Sequence, residues 1–146
     1  MRLALSIIAF CAVFCGPARA YDFEPVPPID LKEVDPAMLA DTFGAWEIRD
    51  KSGKKRCRIV LLKDFGIGGY QIDVAPGCDK AFPIMADISA WRLIESWGIE
   101  FVDPLRKTRV RWTTPDNNYV AFGDEKDIAG MHQLLKVKGK PAPRKK

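Results

Sequence analysis

Gly98-Ile99-Glu100-Phe101-Val102, a turn at Asp103-Pro104, then Thr108-Arg109-Val110-Arg111-Trp112-Thr113 is the stretch that decides the fold. Ile99 and Phe101 alternate with Glu100, and Val110 and Trp112 alternate with Arg109 and Arg111. A period of two places one set of side chains on each face, so the pair reads as an antiparallel hairpin with one buried and one wet face. Working outward, the same grammar of short apolar runs broken by turn residues covers most of the chain. Upstream runs are Ala45 to Arg49, Arg56 to Leu62, Gly69 to Ala75, an indistinct one around Phe82 to Met85, and Ser89 to Ile94. Downstream are Tyr119 to Phe122 and Met131 to Val137. Eight or nine strands with hairpin links close most simply into a small antiparallel up-and-down β-barrel. The expectation is therefore an all-β fold, an eight-stranded barrel spanning residues 36–137, with a two-sheet sandwich as the alternative.

Ahead of the strands, residues 21–35 carry Pro25, Pro27 and Pro28 without apolar periodicity and read as an extended arm. Asp35 with Pro36 behind it is a cap-and-first-turn signature for a short helix through Ala37-Met38-Leu39-Ala40, stopped by Gly44 at the latest. Residues 138–146 hold lysines, an arginine and prolines with nothing to bury, which predicts a disordered basic tail.

The first twenty residues have another character. Arg2 precedes the apolar run Leu3 to Phe14, Gly16-Pro17 breaks it, and Ala18-Arg19-Ala20 supplies small residues around a cleavage point. This is the pattern of a secretory signal removed after Ala20. The run is too short for the roughly 20 residues that span a bilayer. Phe10 and Phe14, not small residues, precede Cys11 and Cys15, so no acyl anchor is expected. Arg2 and Arg19 leave with the segment and no acid does, which takes the net charge from +4 to +2 and gives no reason to expect a nucleic-acid partner. A soluble monomer in the periplasm or outside the cell is the expectation. Of four cysteines only Cys57 and Cys78 then reach an oxidising compartment, where they have one possible pairing, a structural disulfide.

Chemistry is sparse. The chain has one histidine, His132, in a strand pattern, and neither Gly-x-Ser-x-Gly nor His-Glu-x-x-His occurs. Asp64, Asp73, Asp87 and Glu100 are scattered over different strands and turns, with nothing to pair them. Gly66-Ile67-Gly68-Gly69 lies between two strands, not before a helix, so it reads as a hairpin and not a phosphate loop. Basic residues at Lys51 to Arg58 read as solvated surface. Trp46, Trp91 and Trp112 read as barrel core, although in a barrel they could instead line a ligand cavity. No catalytic residue, cofactor or metal is expected, and the chain does not read as an enzyme.

Leu39, Gly44-x-Trp46, Cys57 followed by Ile59 and Leu61, Gly69-Tyr70, Cys78, and Ala90-Trp91-Arg92 occur in an order that resembles the secreted bacterial inhibitors of serralysin-type zinc metalloproteases. The resemblance covers about Pro36 to Val137. It implies a periplasmic eight-stranded barrel with one disulfide, whose N-terminal arm lies in the cleft of the protease with its free terminus at the catalytic zinc. On that analogy the protease-binding arm is Tyr21, Asp22, Phe23, Glu24, Pro25 and onward. A free α-amino group with a pKa near 8 is partly neutral and so able to ligate a metal. The arm departs from the family pattern in being longer and in starting Tyr21-Asp22-Phe23, not with small hydroxyl residues. Such an arm could overshoot the cleft, be trimmed, or tether the barrel in the envelope. The alternatives of another class are a barrel-type carrier of a small apolar ligand and a non-inhibitory envelope protein.

Overall fold

The computed structural model describes residues 23–113, 120–122 and 127–134. Residues 1–20, read from sequence as a secretory signal, Tyr21, Asp22, the end of the Met131 to Val137 run and residues 138–146, read as a basic tail, lie outside the described residues. Chain order is α1 (Pro36–Leu39), β1 (Gly44–Arg49), β2 (Arg56–Gly66), β3 (Gly69–Val74), α2 (Cys78–Ala81), a 3₁₀ turn (Pro83–Asp87), β4 (Ala90–Ile94), a second 3₁₀ turn (Glu95–Trp97), β5 (Gly98–Val102), β6 (Thr108–Thr113), β7 (Val120–Phe122) and β8 (Gly130–Gln133).

All the strands belong to one antiparallel sheet in the order β7-β6-β5-β4-β3-β2-β1-β8. Each strand up to β7 pairs with its neighbour in sequence, and β8 returns to pair with β1 through Trp46–Gln133 to Arg49–Gly130. The edge strands β7 and β8 approach each other, so the sheet rolls into a nearly closed barrel. Rolling the sheet hides most of the exposed backbone that an open edge would present to other chains.

Register puts one face of β1 to β6 and of β8 inside. Ile99 stands opposite Trp112 and Phe101 opposite Val110 between β5 and β6, while Trp91 faces Phe101 and Leu93 faces Ile99 between β4 and β5. Trp91, Leu93, Ile99, Phe101, Val110, Trp112, Ile48 and Met131 are completely buried and belong to one core cluster with Trp46, Ile59 and Leu61. Trp46, Trp91 and Trp112 are all buried members of this cluster. Trp46 Nε1 donates to the Thr42 carbonyl at 2.9 Å and Trp91 Nε1 to the Leu62 carbonyl at 3.1 Å, so these rings are buried with their polar handles satisfied.

The short helix forms where expected: the Asp35 carboxylate accepts from the Ala37 amide at 2.8 Å and Pro36 takes the first turn. The indistinct run around Phe82 to Met85 is not a strand. Pro83 has no amide to give a ladder, and Phe82 and Met85, three apart, both turn into the core from the 3₁₀ segment. Cys57 on β2 is disulfide-bonded to Cys78 at the start of α2, tying this helical excursion to the barrel wall. Gly66–Gly69 is the β2–β3 hairpin tip, as the sequence suggests. Gly68 has φ of 88°, and a side chain at Gly69 would collide with the Trp91 carbonyl, so glycine is required at both.

Candidate functional site: the docked arm

The arm does not hang free. Between Pro27 and Leu31 it is built into the barrel beside the end of β4, where β3 has already run out. The Ile29 amide donates to the Leu93 carbonyl at 2.8 Å and the Glu95 amide donates to the Pro27 carbonyl at 3.4 Å, flanking a bridge between Pro28 and Ile94. In that arrangement the nitrogen of Pro28 faces away from β4, so a residue without an N–H costs no bond there. Leu31 is 8% exposed and joins the core cluster, and the Asp30 carboxylate accepts from the Lys32 amide at 2.9 Å to turn the chain toward α1.

A second attachment lies upstream. Glu100 on β5 and Arg111 on β6 stand opposite each other on the outer face of the sheet. The sequence marks this face as wet, yet Glu100 is 3% exposed and Arg111 9%. The arm covers them. Arg111 Nε and Nη2 donate to one Glu100 carboxylate oxygen at 2.8 and 2.6 Å, and the Thr108 hydroxyl donates to the other at 3.0 Å. The same Nη2 donates to the Glu24 carbonyl at 2.6 Å, and the guanidinium lies 5.1 Å from the centre of the Phe23 ring. Arg111 thus uses its planar fork twice, once to neutralise Glu100 and once to hold the arm, which the point charge of a lysine could not do. Of the arm residues marked from sequence, Phe23 and Glu24 meet at this clamp and Pro25 is exposed beyond it.

The other sequence candidates do not assemble into chemistry. His132 on β8 stands opposite Glu47 on β1, and Glu47 is ringed by Arg49 at 2.6 Å, Arg56 at 3.6 Å and Arg58 at 3.8 Å. Part of the basic cluster read as solvated surface is therefore spent on neutralising one buried carboxylate. Asp87 pairs with Arg109 at 3.1 Å, away from the Glu100 pair. Among the described residues no three His, Cys, Asp or Glu side chains are gathered as metal ligands, and no helix is long and apolar enough to cross a membrane. Sequence reasoning missed Arg111 and Glu100 as arm-holding residues because alternation alone cannot show that another segment lies on a polar face.

A family model described as protease inhibitor Inh matches residues 37–127. The match begins within α1 and takes in every strand from β1 to β7. No curated protein matches.

Proposed function

Because the chain belongs to the Inh protease inhibitor family, we propose that it is an exported inhibitor of a secreted serralysin-type zinc metalloprotease, acting in the periplasm through its N-terminal arm. The observation that supports the arm is its anchoring. With cleavage after Ala20, residues 21–26 precede Pro27, whose carbonyl accepts from the Glu95 amide, and six extended residues reach about 20 Å at most. The Arg111 clamp at Phe23 and Glu24 leaves only residues 21 and 22 ahead of it, a length of about 7 Å if extended. The extra length of the arm is thus largely taken up on the barrel wall, and on this reading the two residues ahead of the clamp are the spur that enters the cleft. A spur of this kind loses little freedom on entering a cleft, which favours binding. Its terminal α-amino group is the group offered to the zinc of the enzyme.

The test is titration of a serralysin-type protease with mature protein starting at Tyr21, beside a form starting at Pro27 and a serine protease as control. The longer form should remove the zinc enzyme's activity stoichiometrically and leave the serine protease untouched, while the shorter form should fail to inhibit. Cutting at Pro27 keeps Leu31 and the β4 bridge, so the barrel stays intact. Full inhibition by the form starting at Pro27 would refute the role of the arm.

A further inference from the structure

Between the docked arm and the β2–β3 hairpin runs a trough of about 1180 Å³. Its floor is apolar: Phe43 and Tyr70 pack on Trp91 at centroid distances of 5.8 and 5.3 Å, and Leu93 lies beside them. One wall is Pro28 to Lys32 of the arm, and the other is the hairpin, with Phe65 73% and Ile67 76% exposed at its tip. The β5–β6 turn adds Leu105, 88% exposed, next to Arg106. These three are the large apolar side chains left exposed among the described residues; Phe65 and Ile67 line the trough, and Leu105 is the chain neighbour of its lining residue Arg106.

The arginines away from this trough are each paired with an acid among the described residues. Arg49, Arg56 and Arg58 converge on Glu47, Arg109 on Asp87 and Arg111 on Glu100. Along the trough stand Lys32, Lys63, Arg92 and Arg106, none of them in an ion pair among the described residues, against the single acid Asp30. Lys63 lies over the Phe43 ring at 5.0 Å, and Arg92 donates to the Gly68 carbonyl at 2.5 Å, which fixes both cations at the trough's edge.

We infer that this trough is a second docking surface, which takes an acidic segment carrying apolar side chains from the protease partner. The inference rests on the inhibitor reading, because an enzyme that admits the spur has its own surface next to the arm wall of the trough. A small ligand would leave Phe65, Ile67 and Leu105 still facing water, whereas a protein surface covers them. Unpaired cations beside an apolar floor favour an acidic partner chiefly by speeding its approach.

The experiment is association and dissociation kinetics of a serralysin-type protease with the mature protein and three variants, each first checked for an unchanged melting temperature. Lys63→Glu with Arg106→Glu should slow association about tenfold at low ionic strength and flatten its salt dependence. Lys51→Glu with Lys54→Glu, a charge-matched change on the β1–β2 turn outside the trough, should alter it less than about twofold. Phe65→Ser with Ile67→Ser should speed dissociation about tenfold. Equal slowing by the two charge variants would reduce the effect to net charge and overturn the inference. So would wild-type kinetics in the trough variants while the unaltered protein binds. If the unaltered protein does not bind the enzyme at all, the inhibitor reading itself falls, and the trough's partner with it.

Discussion

Replacing Arg111 by methionine should both destabilise the barrel and release the arm. The Glu100 carboxylate is 3% exposed and its partner guanidinium 11%, so the substitution strands a charge that water reaches poorly. Breaking a buried pair from one side costs about 3–5 kcal/mol. The Thr108 hydroxyl still donates to Glu100 at 3.0 Å, which places the expected loss at the lower end, about 3 kcal/mol. For a domain of this size that corresponds to a melting temperature lower by about 12 °C. Glu100→Gln combined with Arg111→Met removes both charges and should recover at least half of the loss. Chymotrypsin supplies the second readout, since Phe23 and Glu24 lose their hold on the barrel. Cleavage after Phe23 should be markedly faster in Arg111→Met than in the unaltered protein under conditions where both are folded. A stability loss under about 1 kcal/mol, or a double variant whose cost is the sum of the single ones, would show that the pair is solvated and that the arm is not what buries it.

Three further perturbations test other parts of the structure. Replacing Cys57 and Cys78 together by alanine reopens a loop spanning a sequence separation of 21 and should lower unfolding free energy by about 3 kcal/mol, read in guanidinium titrations. Trp91→Phe should cost about 1–2 kcal/mol more than Trp112→Phe, because Trp91 Nε1 has the Leu62 carbonyl as acceptor while Trp112 Nε1 is buried with none among the described residues; equal losses would contradict that account. The Asp50 carboxyl is held below the usual aspartate range, first by the Ser52 hydroxyl at 2.5 Å, with amide bonds, including that from Lys55, adding to it, while desolvation opposes the shift. Its contribution to the β1–β2 turn is complete above the ordinary value near 3.8 and is lost as pH falls through the lower folded value, so Asp50→Asn should flatten the acid limb of a melting-temperature profile.

Much of the barrel was legible because the information lies in neighbouring residues. The β5 and β6 runs coincide with their sequence-read limits, since a strict period of two bounded by Asp103-Pro104 leaves no other register with a buried face. The disulfide was legible by counting. The segment from Cys78 to Asp87 was not, because Phe82 and Met85 bury themselves at a spacing of three, and a run of four residues cannot distinguish that from alternation. β2 continues to Gly66, past Leu62, through a register shift between Leu61 and Phe65, and it was the mixed run Lys63-Asp64 that hid the continuation. The attachment of the arm depends on contacts 87 residues apart, between Glu24 and Arg111, and no local pattern encodes those.

The arm and the outer face of β5 and β6 explain one another. On an uncovered sheet, Glu100 and Arg111 would be an exposed cross-strand pair worth less than about 1 kcal/mol. Laid under Phe23 and Glu24, the same pair becomes a desolvated anchor whose geometry is fixed from both sides. The prolines play a matching part: they cannot compete for ladder bonds, so the arm adds to the sheet only where Ile29 and Pro27 meet the free end of β4. A segment that looks unstructured in sequence therefore has two defined seats, one polar at Arg111 and one in register with β4. The length of chain left ahead of them is set by the barrel wall as much as by the arm's own sequence.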